Sequence, residues 1–360
     1  MRGTSATPPP HSSVPLHNIP MPDPLRSAPR NRVVCLTPVR NEAWILEKFL
    51  ACASLWADQI VVVDQCSTDG SREIAKRFPK VTLVENDSPV FDEPRQRRLL
   101  LEAGRRQPGP KTFVILDADE FLSANFAASE EWQRVVTAAP GTIFRFNWAN
   151  ILPGFERGWV IAILPAAYVD DGRPFVGSPL HGPRLPLPED GRYVDLREIK
   201  ILHYQYTDWA RMKSKQCWYQ CYEYLLDPGK KTLALYRNYH RMDLFARRKK
   251  FTRPLPAEWF SWYEQQGIVM KETGRSDYWW DEDVVRMMLQ HGTARFRRAA
   301  IWSRDWNRVR ERHFPDDPRR LADPRGTGLK ILHAFLRLSQ PWSRSWLVGM
   351  ADRILGRAGC

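Results

Sequence analysis

Two periods of apolar residues alternate along the chain after residue 32. Short apolar runs with no polar alternation predict strands that are buried on both faces, at 33–37, 60–63, 81–84 and 113–116. Between these runs, apolar residues recur at helical spacing and predict helices at 43–56, 71–78 and 94–106. Strands that alternate with helices indicate an α/β fold with a mostly parallel sheet and right-handed crossovers.

Polar side chains follow three of the predicted strands, at the point where each strand ends. They form the segments TPVRNE at 37–42, DQCSTDGS at 64–71 and DADE at 117–120. In open parallel sheets the ligand crevice lies beyond the carboxyl ends of the strands, where loops enter the following helices. The sequence therefore predicts one binding site that the three segments share.

The third segment places two carboxylates, Asp117 and Asp119, at the tip of an otherwise apolar strand. This D-x-D spacing suits a hard divalent cation such as Mg2+ or Mn2+, which keeps some waters and takes other ligands from substrate phosphates. Aspartates also cap loops and helices, so a D-x-D taken alone is a weak signal. Its position beside two other polar segments favours a functional site.

The second segment has two interpretations, which can both hold. Asp64 stands at the last position of its strand, where its carboxylate could accept hydrogen bonds from a nucleotide base or ribose. Ser67 and Asp69 are typical of a turn and a helix N-cap, because their side chains accept bonds from free backbone N–H groups. Asp64 and Asp69 are both candidate nucleotide-binding residues.

Together, the three segments resemble the signature segments of family 2-type glycosyltransferases with the GT-A fold, which is Rossmann-like. Their order and spacing agree, and the resemblance covers residues 32–215. Two positions depart from the family pattern. Arg40 stands where an aromatic or small residue usually precedes Asn-Glu, and Gln65 stands where a second aspartate is common.

The resemblance implies a glycosyltransferase of hexosyl or related type, with a UDP- or GDP-sugar as donor. The residues that would line its base pocket are Pro38, Arg40 and Glu42. Asp64 would contact the base or ribose, and Asp117 with Asp119 would hold Mn2+ or Mg2+ under the diphosphate. A cation there stabilises the charge that develops on the departing diphosphate.

A later segment, 199–206, resembles the family's strand that carries a late histidine. The resemblance implies that His203 completes the metal site, and a hydrogen-bonded core histidine is an equal alternative. Three basic residues follow on a predicted helix, Arg211, Lys213 and Lys215. They could meet the diphosphate, or they could form a solvated helix face.

The catalytic base of an inverting enzyme would be a carboxylate between the D-x-D and the late histidine. The acidic pairs there include Asp171 and Asp190, and both pairs stand next to glycine, which is typical of ordinary turns. We expect Asp171 first and Asp190 second as the base. Residues 150–200 are rich in Pro, Gly and aromatics, so we expect them to be acceptor-binding loops.

Three further segments surround this domain, which spans 32–215. Residues 1–31 contain eight prolines and show neither apolar period, so we expect a disordered tail. Residues 216–328 predict a helical, aromatic-rich basic extension. Residues 329–360 predict a basic amphipathic segment that Pro341 divides, lying either on an anionic membrane or on the protein body.

Net charge and cysteine content limit the kind of partner and the cellular compartment that we expect for this protein. The 360 residues carry a net charge of +13, which indicates an anionic partner such as a phosphorylated substrate, a lipid surface or nucleic acid. The six cysteines form no C-x-x-C pair, and no apolar run approaches the roughly 18 residues needed to cross a bilayer. We expect a cytoplasmic protein, either free or peripheral at the inner face of the membrane. The resemblance to glycosyltransferases implies that its acceptor is a cell-surface glycan or glycolipid in polysaccharide biosynthesis.

Other classes of protein fit the sequence less well. A nucleic-acid-binding protein would explain the charge, but the basic residues lack a helix-turn-helix or RNP-type signature, so we expect no nucleic-acid partner. A glycoside hydrolase needs two acids that flank the scissile bond, and a D-x-D behind nucleotide-type loops does not supply them. A GT-A-like fold that has lost activity and only binds a membrane or nucleic acid is the remaining alternative.

Overall fold

The computed structural model describes residues 30–178, 180, 182–274 and 278–359. Within these residues, the sheet is built of the strands β1 Arg32–Val39, β2 Gln59–Gln65, β3 Val81–Asn86, β4 Lys111–Ile115, β5 Glu120–Leu122, β6 Thr142–Ile151, β7 Arg157–Val169, β8 Arg192–His203 and β9 Arg253–Pro254. Residues 1–29 lie outside the described part of the chain, so the expected disordered tail stays a prediction.

The helices of the first half are α1 Leu46–Trp56, α2 Ser71–Lys76, α3 Glu93–Arg105 and α4 Glu130–Thr137. Those of the second half are α5 Trp209–Leu226, α6 Thr232–Tyr239, α7 Arg241–Arg247, α8 Ser261–Gln265, α9 Trp279–His291, α10 Trp306–His313, α11 Thr327–Ser339 and α12 Trp346–Arg357. The four strands and three helices expected before residue 117 are all present, with ends shifted by a few residues. The predicted α/β fold with a helical C-terminal extension is confirmed.

The sheet is mixed, with a parallel core. Its strand order is β3-β2-β1-β4-β7-β6-β8-β5, and β9 pairs with β7. β1 pairs in parallel with β2 and with β4, and β2 pairs in parallel with β3. β7 runs antiparallel to both β4 and β6, and β8 runs parallel to β6. β6 and β8 therefore point in the same direction as the parallel core.

Both faces of the central strands are buried, which is why their sequences show no polar alternation. Along β1, Val33 faces a core cluster that contains Phe49 of α1. The next residue, Val34, faces the opposite cluster, which contains Leu100 of α3. Helices thus cover the sheet on two sides, and the polar residues are left for the strand ends.

The expectation that residues 150–200 form loops is wrong for much of that range. β7, with 13 residues, and β8, with 12, are the two longest strands of the described sheet. Together they occupy 25 residues between Arg157 and His203. Strand β6 also ends inside this range, at Ile151. Long connections remain only near 170–191, between β7 and β8. The glycines, prolines and aromatics of this region obscured two strands that the sheet completes.

The C-terminal helices form a second core beside the sheet. Its buried residues include Trp218 of α5, Val284 of α9 and Trp306 of α10. Helix α5 runs through position 215, so the expected boundary between the domain and its extension falls inside a helix. Pro341 lies in a short 3-10 turn between α11 and α12, as its position in the sequence predicts. No helix of the described chain is both long and apolar enough to span a bilayer.

Gly104, in the last turn of α3, permits the close approach of this helix to the sheet. A Cβ at this position would lie 2.7 Å from Phe113 Cε1 and 3.0 Å from Leu36 Cδ2, and both side chains are buried. Gly104→Ala should therefore lower the free energy of unfolding by about 1–3 kcal/mol through overpacking, measured by chemical denaturation. Gly349→Ala in α12, where no atom lies within 4 Å of the new Cβ, should not destabilise the protein. Equal stability of Gly104→Ala and wild type would contradict this packing.

Candidate functional site

Six strands, β1, β2, β3, β4, β6 and β8, share one direction, which brings their ends to one edge of the sheet. β1 ends at Val39 beside Asp64 of β2, and β4 leads directly into Asp117. Asn150, near the end of β6, lies opposite His203, the last residue of β8. Because β5 runs antiparallel to β8, its first residue also pairs with His203. This edge is the one at which parallel α/β sheets bind ligands.

A cleft of about 730 Å3 opens at this edge. Its walls come from the sheet edge, from the loop before β8 and from helices of the extension. The polar residues that line it include Arg40, Glu42, Glu93, Arg97, Asp117, Asp119, Glu120, Asn150, Arg184, His203, Lys215, Arg241 and Arg344. Its aromatic lining includes Trp148, Trp159, Tyr206, Trp218, Tyr219, Phe245, Trp279 and Trp280. Charged groups on an aromatic wall suit a polar ligand with planar and apolar parts.

Asp119 and His203 face each other in the cleft. Asp119 Oδ2 lies 3.7 Å from His203 Nε2, and Asp119 is only 6% exposed. His203 Nδ1 lies 3.0 Å from Asn150 Oδ1, so β6 holds one edge of the imidazole ring and the other nitrogen, Nε2, faces Asp119. Among the described residues, no other side chain forms a hydrogen bond with the Asp119 carboxylate. A carboxylate and an imidazole nitrogen thus face the same space in the cleft, where together they could hold a ligand.

Asp117 points into a different set of contacts. Its Oδ1 accepts a hydrogen bond from Arg97 Nη2 at 3.2 Å, and its Oδ2 accepts one from Arg184 Nη2 at 3.0 Å. Burial raises the pKa of Asp117, but Arg184 and Arg97 outweigh this effect and hold it well below its usual range. Of the three predicted metal ligands, the structure brings Asp119 and His203 together and pairs Asp117 with arginines.

Glu120 completes this charged network. It accepts hydrogen bonds from Trp148 Nε1 at 2.9 Å and from the Asp117 amide at 3.0 Å, and it forms an ion pair with Arg184. Arg97 is buried, and its Nε and Nη1 have no partner among the described residues. Buried donors without a partner are costly, so these two groups are suited to an anionic ligand.

The described residues contain no group of three or more His, Cys, Asp or Glu side chains that could enclose a metal ion. The pair of Asp119 and His203 still fits a hard divalent cation that takes its remaining ligands from phosphate oxygens and water. Mg2+ is commonly held in this way by one or two protein ligands together with substrate phosphates. The donor set therefore fits a metal that binds with its substrate.

Glu42 connects the first polar segment to the helical extension. Its Oε2 accepts hydrogen bonds from Trp44 Nε1 at 2.5 Å and from Arg211 Nη2 at 2.8 Å. The Arg211 guanidinium lies between the rings of Trp44 and Trp280, at 4.2 and 4.6 Å from their centroids. Burial raises the pKa of Glu42 to about 7, against the opposing effect of Arg211. Arg211 thus holds the extension against the sheet edge.

Asp64 and Asp69 differ in what they contact. Asp64 Oδ2 accepts hydrogen bonds from Arg72 Nε at 2.5 Å and from the Ser67 amide at 3.1 Å. Its Oδ1 is buried and has no partner among the described residues. Asp69 accepts bonds from the Ala43 amide and from Ser71, so both of its oxygens hold loops together. The N-cap of α2 is Gly70 rather than Asp69, so Asp69 has the expected turn role without being the cap, and Asp64 keeps an unpaired acceptor.

Pro38 and Arg40 lie at the rim of the cleft, near the end of β1. The Arg40 guanidinium lies 4.1 Å from the centroid of the Trp279 ring and donates a hydrogen bond to the Pro89 carbonyl oxygen.

Lys215 lines the cleft, whereas Lys213 is exposed and lines a separate cavity. Burial lowers the pKa of Lys215, but Tyr219 and Asp119 outweigh that effect and hold it well above its usual value. Lys215 is therefore a charged residue of the site.

The expectation that Asp171 or Asp190 acts as a base needs correction, because the structure brings neither into the cleft. β7 runs antiparallel to β4, so its last residue, Val169, pairs with Thr112 near the start of β4. Asp171 follows there and accepts a hydrogen bond from Tyr168. Asp190 precedes β8, is exposed and forms an ion pair with Arg173 at 2.6 Å. Both acids lie at the edge of the sheet opposite the cleft.

Several cleft residues were missed from the sequence. Arg97 lies in the first half of α3, on its buried face, so its helical position was a signal that could have been used. Arg184 comes from the long connection before β8 and carries no local signal. Half of the aromatic residues named in the cleft come from α5 and α9, whose apolar residues look like ordinary core positions. These residues reach the cleft only through the tertiary fold.

Comparison with known proteins agrees with this geometry. Residues 35–129 match the family described as Glycosyl transferase family 2. This part of the chain is glycosyltransferase family 2-like. The match covers about a quarter of the 360 residues and includes Asp64, Asp117 and Asp119, but it ends before His203. The resemblance that the three polar segments indicated is confirmed, and with it a GT-A type of fold.

A solved structure described as "Crystal structure of 4-diphosphocytidyl-2C-methyl-D-erythritol synthase" is also similar to this chain. The identity is 17%, the TM-score is 0.28, and the similarity covers 39% of this chain and 76% of that chain. At this TM-score the similarity says nothing about the chemistry of the cleft. No curated protein matches the chain.

The raised pKa of Glu42 gives a test of the contact between the sheet edge and the extension. Between its ordinary value of 4.5 and the folded value of about 7, the folded state binds more protons at Glu42 than the unfolded chain does. The contribution of Glu42 to the free energy of unfolding therefore falls as the pH rises through this interval. Between about pH 5 and about pH 8, the free energy of unfolding of wild type should fall by on the order of 2–3 kcal/mol more than that of Glu42→Gln, measured by chemical denaturation.

The control is Glu47→Gln, because Glu47 is a side chain of the same region that forms only an exposed ion pair with Arg77. The free energy of unfolding of Glu47→Gln should depend on pH in the same way as that of wild type. If Glu42→Gln also keeps that dependence, the pKa of Glu42 is not raised and its burial beside Arg211 is wrong.

Proposed function

We propose that this protein transfers a sugar from a nucleoside-diphosphate sugar, with UDP or GDP as the nucleotide, to a hydroxyl group of an acceptor. The observation that carries the proposal is the pair of Asp119 and His203, which face each other in the cleft with Nε2 and Oδ2 3.7 Å apart. The pair lies at the edge where the family 2-like segments end. The acceptor is proposed to be a cell-surface glycan or glycolipid.

The charges of the cleft support a diphosphate leaving group. Arg97, Arg184 and Lys215 all line it, and two donor groups of Arg97 lack a partner among the described residues. Sugar transfer breaks the bond between the anomeric carbon and the diphosphate oxygen, so negative charge develops on the diphosphate. Fixed cations in a cleft that excludes water stabilise that charge more strongly than water does.

A divalent cation, Mn2+ or Mg2+, is proposed between Asp119 and His203. When bound, it would act as a Lewis acid on the departing diphosphate. With the cation bound, Asn150 Oδ1, 3.0 Å from His203 Nδ1, would accept the Nδ1 proton and so orient Nε2 toward the metal. Arg97 and Arg184 neutralise Asp117, which leaves Asp119 as the carboxylate available in the D-x-D segment.

The nucleoside is proposed to occupy the side of the cleft near the end of β1. Pro38, Arg40 and Glu42 line that side, and Arg40 stacks on Trp279. Asp64 does not itself line the described cleft, but it lies beside Val39 at the end of β1 and its buried Oδ1 has no partner among the described residues, so we propose it as a contact of the nucleoside. The compartment is proposed to be the cytoplasm, and the free thiols of the five described cysteines support a reducing environment.

The proposal predicts a nucleotide response that depends on metal. UDP or GDP at a hundredfold excess over its dissociation constant should stabilise the protein by about 2.7 kcal/mol, seen as a rise in Tm. Mn2+ should increase this effect in wild type. Asp119→Asn should lose the part that depends on Mn2+ and keep the response to nucleotide alone, because Arg97, Lys215 and the nucleoside contacts are unchanged.

Asp190→Asn is the matched control, because Asp190 is an exposed acid at the opposite edge of the sheet. It should respond like wild type with and without Mn2+. Absence of any nucleotide response in wild type would contradict the transferase proposal. A full Mn2+ effect in Asp119→Asn would contradict the metal position.

A further inference from the structure

The last two helices expose a row of large apolar side chains. On α12 these are Trp346, Leu347, Met350 and Ile354, and Trp342 in the preceding 3-10 turn is exposed as well. The spacing of the four residues on α12 places them within about a quarter turn of one another. We call Trp342, Trp346, Leu347, Met350 and Ile354 the C-terminal face. Aligned apolar side chains of this size are seldom left in water without a partner.

Helix α12 contacts the protein body through its opposite side. Asp352, the only acid of the helix, accepts hydrogen bonds from Arg237 of α6 at 2.9 and 3.0 Å. Lys231 donates a hydrogen bond to the Gly356 carbonyl oxygen. No residue of α12 is buried, although the helix is fixed at these two points. The acid is thus turned inward and neutralised, and the apolar residues are directed outward.

Basic residues accompany the apolar ones. Arg353 and Arg357 are exposed on α12, and Arg344 is exposed between Trp342 and Trp346. Arg237 donates hydrogen bonds to Ser339 and Gln340 as well as to Asp352, so it holds the two helices together. Exposed tryptophans with surrounding Arg and Lys are typical of helices that lie in the interface of an anionic bilayer.

We propose that the C-terminal face binds an anionic lipid bilayer, with α12 lying in the plane of the headgroups. The charge of the partner follows from the basic residues, since each Lys or Arg near an anionic surface adds to the attraction. The side chains also set how deeply the helix enters the bilayer. One row of apolar residues on a twelve-residue helix reaches only the headgroup and upper acyl region. This contact is independent of any chemistry in the cleft.

The C-terminal face adjoins the cleft. Arg344 lies between Trp342 and Trp346 in sequence, lines the cleft and packs over the Phe245 ring at 5.7 Å. Phe245 stacks on Trp159 of the cleft wall, with ring centroids 4.4 Å apart. Docking brings the side of the cleft that Arg344 and Phe245 line to the lipid surface. If the cleft transfers a sugar as proposed above, the acceptor enters from this side. The acceptor class that fits this arrangement is a lipid-linked glycan whose polar part enters the cleft.

Vesicle co-sedimentation of the full chain tests the docking. Wild type should bind vesicles of phosphatidylcholine with phosphatidylglycerol and should bind pure phosphatidylcholine far more weakly. Replacing Trp346, Leu347 and Ile354 by Ser should lower the partition coefficient at least tenfold. These side chains are 69, 66 and 62% exposed, so they contribute to membrane binding rather than to the packing of the protein core. Arg353→Gln with Arg357→Gln should lower it roughly thirtyfold on the anionic vesicles only.

The matched control replaces Leu226 and Val269 by Ser, since these side chains are also exposed, at 48 and 58%, but lie elsewhere. It should bind vesicles like wild type. Hydrogen exchange with and without anionic vesicles should show protection at 342–357 and at the rim of the cleft near 159–165. The nucleotide response of the triple Ser variant in solution should equal that of wild type, so a failure of docking is distinguishable from a failure of the proposed function.

Two results would overturn the docking proposal. One is equal partition of wild type and the triple Ser variant onto anionic vesicles. The other is a wild-type dimer that the triple variant loses, without binding to vesicles, because a second copy of the chain would then cover the C-terminal face. Protection of the C-terminal face without protection of the cleft rim would overturn the orientation of the cleft toward the lipid.

Discussion

Six strands of the sheet run in one direction, and the whole cleft depends on that alignment. Their carboxyl ends bring together groups that are far apart in sequence, so that Asn150 and His203 meet Asp119. The same constraint excludes other acids. Because β7 runs against its neighbours, Asp171 is carried to the opposite edge, about the length of a strand away from the cleft. Strand direction thus decides which carboxylates can take part in the chemistry.

Charge pairing then divides the cleft residues by role. Buried charges need partners, and most acids here have them: Asp117 and Glu120 share Arg184, and Glu42 binds Arg211. Among the charged groups of the cleft, the described network leaves the Asp119 carboxylate near His203 and two donor groups of Arg97 without a hydrogen-bond partner. Their charges are opposite to those of parts of a metal-bound diphosphate. The proposed function rests on these remaining groups more than on the number of charges in the cleft.

Much of this could be predicted from the sequence, for a physical reason. The strands of the first third are buried on both faces, so their apolar runs and polar ends are local signals, and these pointed to Asp117 and Asp119, which line the cleft. The rest depends on distant parts of the chain. The direction of β7, which moves Asp171 away, is set by pairing with β4 and β6. The position of Arg184 is set by a long connection, and neither has a signature within a few residues. The wrong base and the missed arginine are both consequences of non-local contacts.

The most direct test of the account is a crystal structure of the protein with UDP or GDP and Mn2+, with anomalous diffraction used to locate the metal. The account predicts an anomalous peak between Asp119 and His203, with the diphosphate beside Arg97 and Lys215 and the nucleoside near the end of β1. A manganese ion bound elsewhere, or a nucleotide outside the cleft, would contradict it.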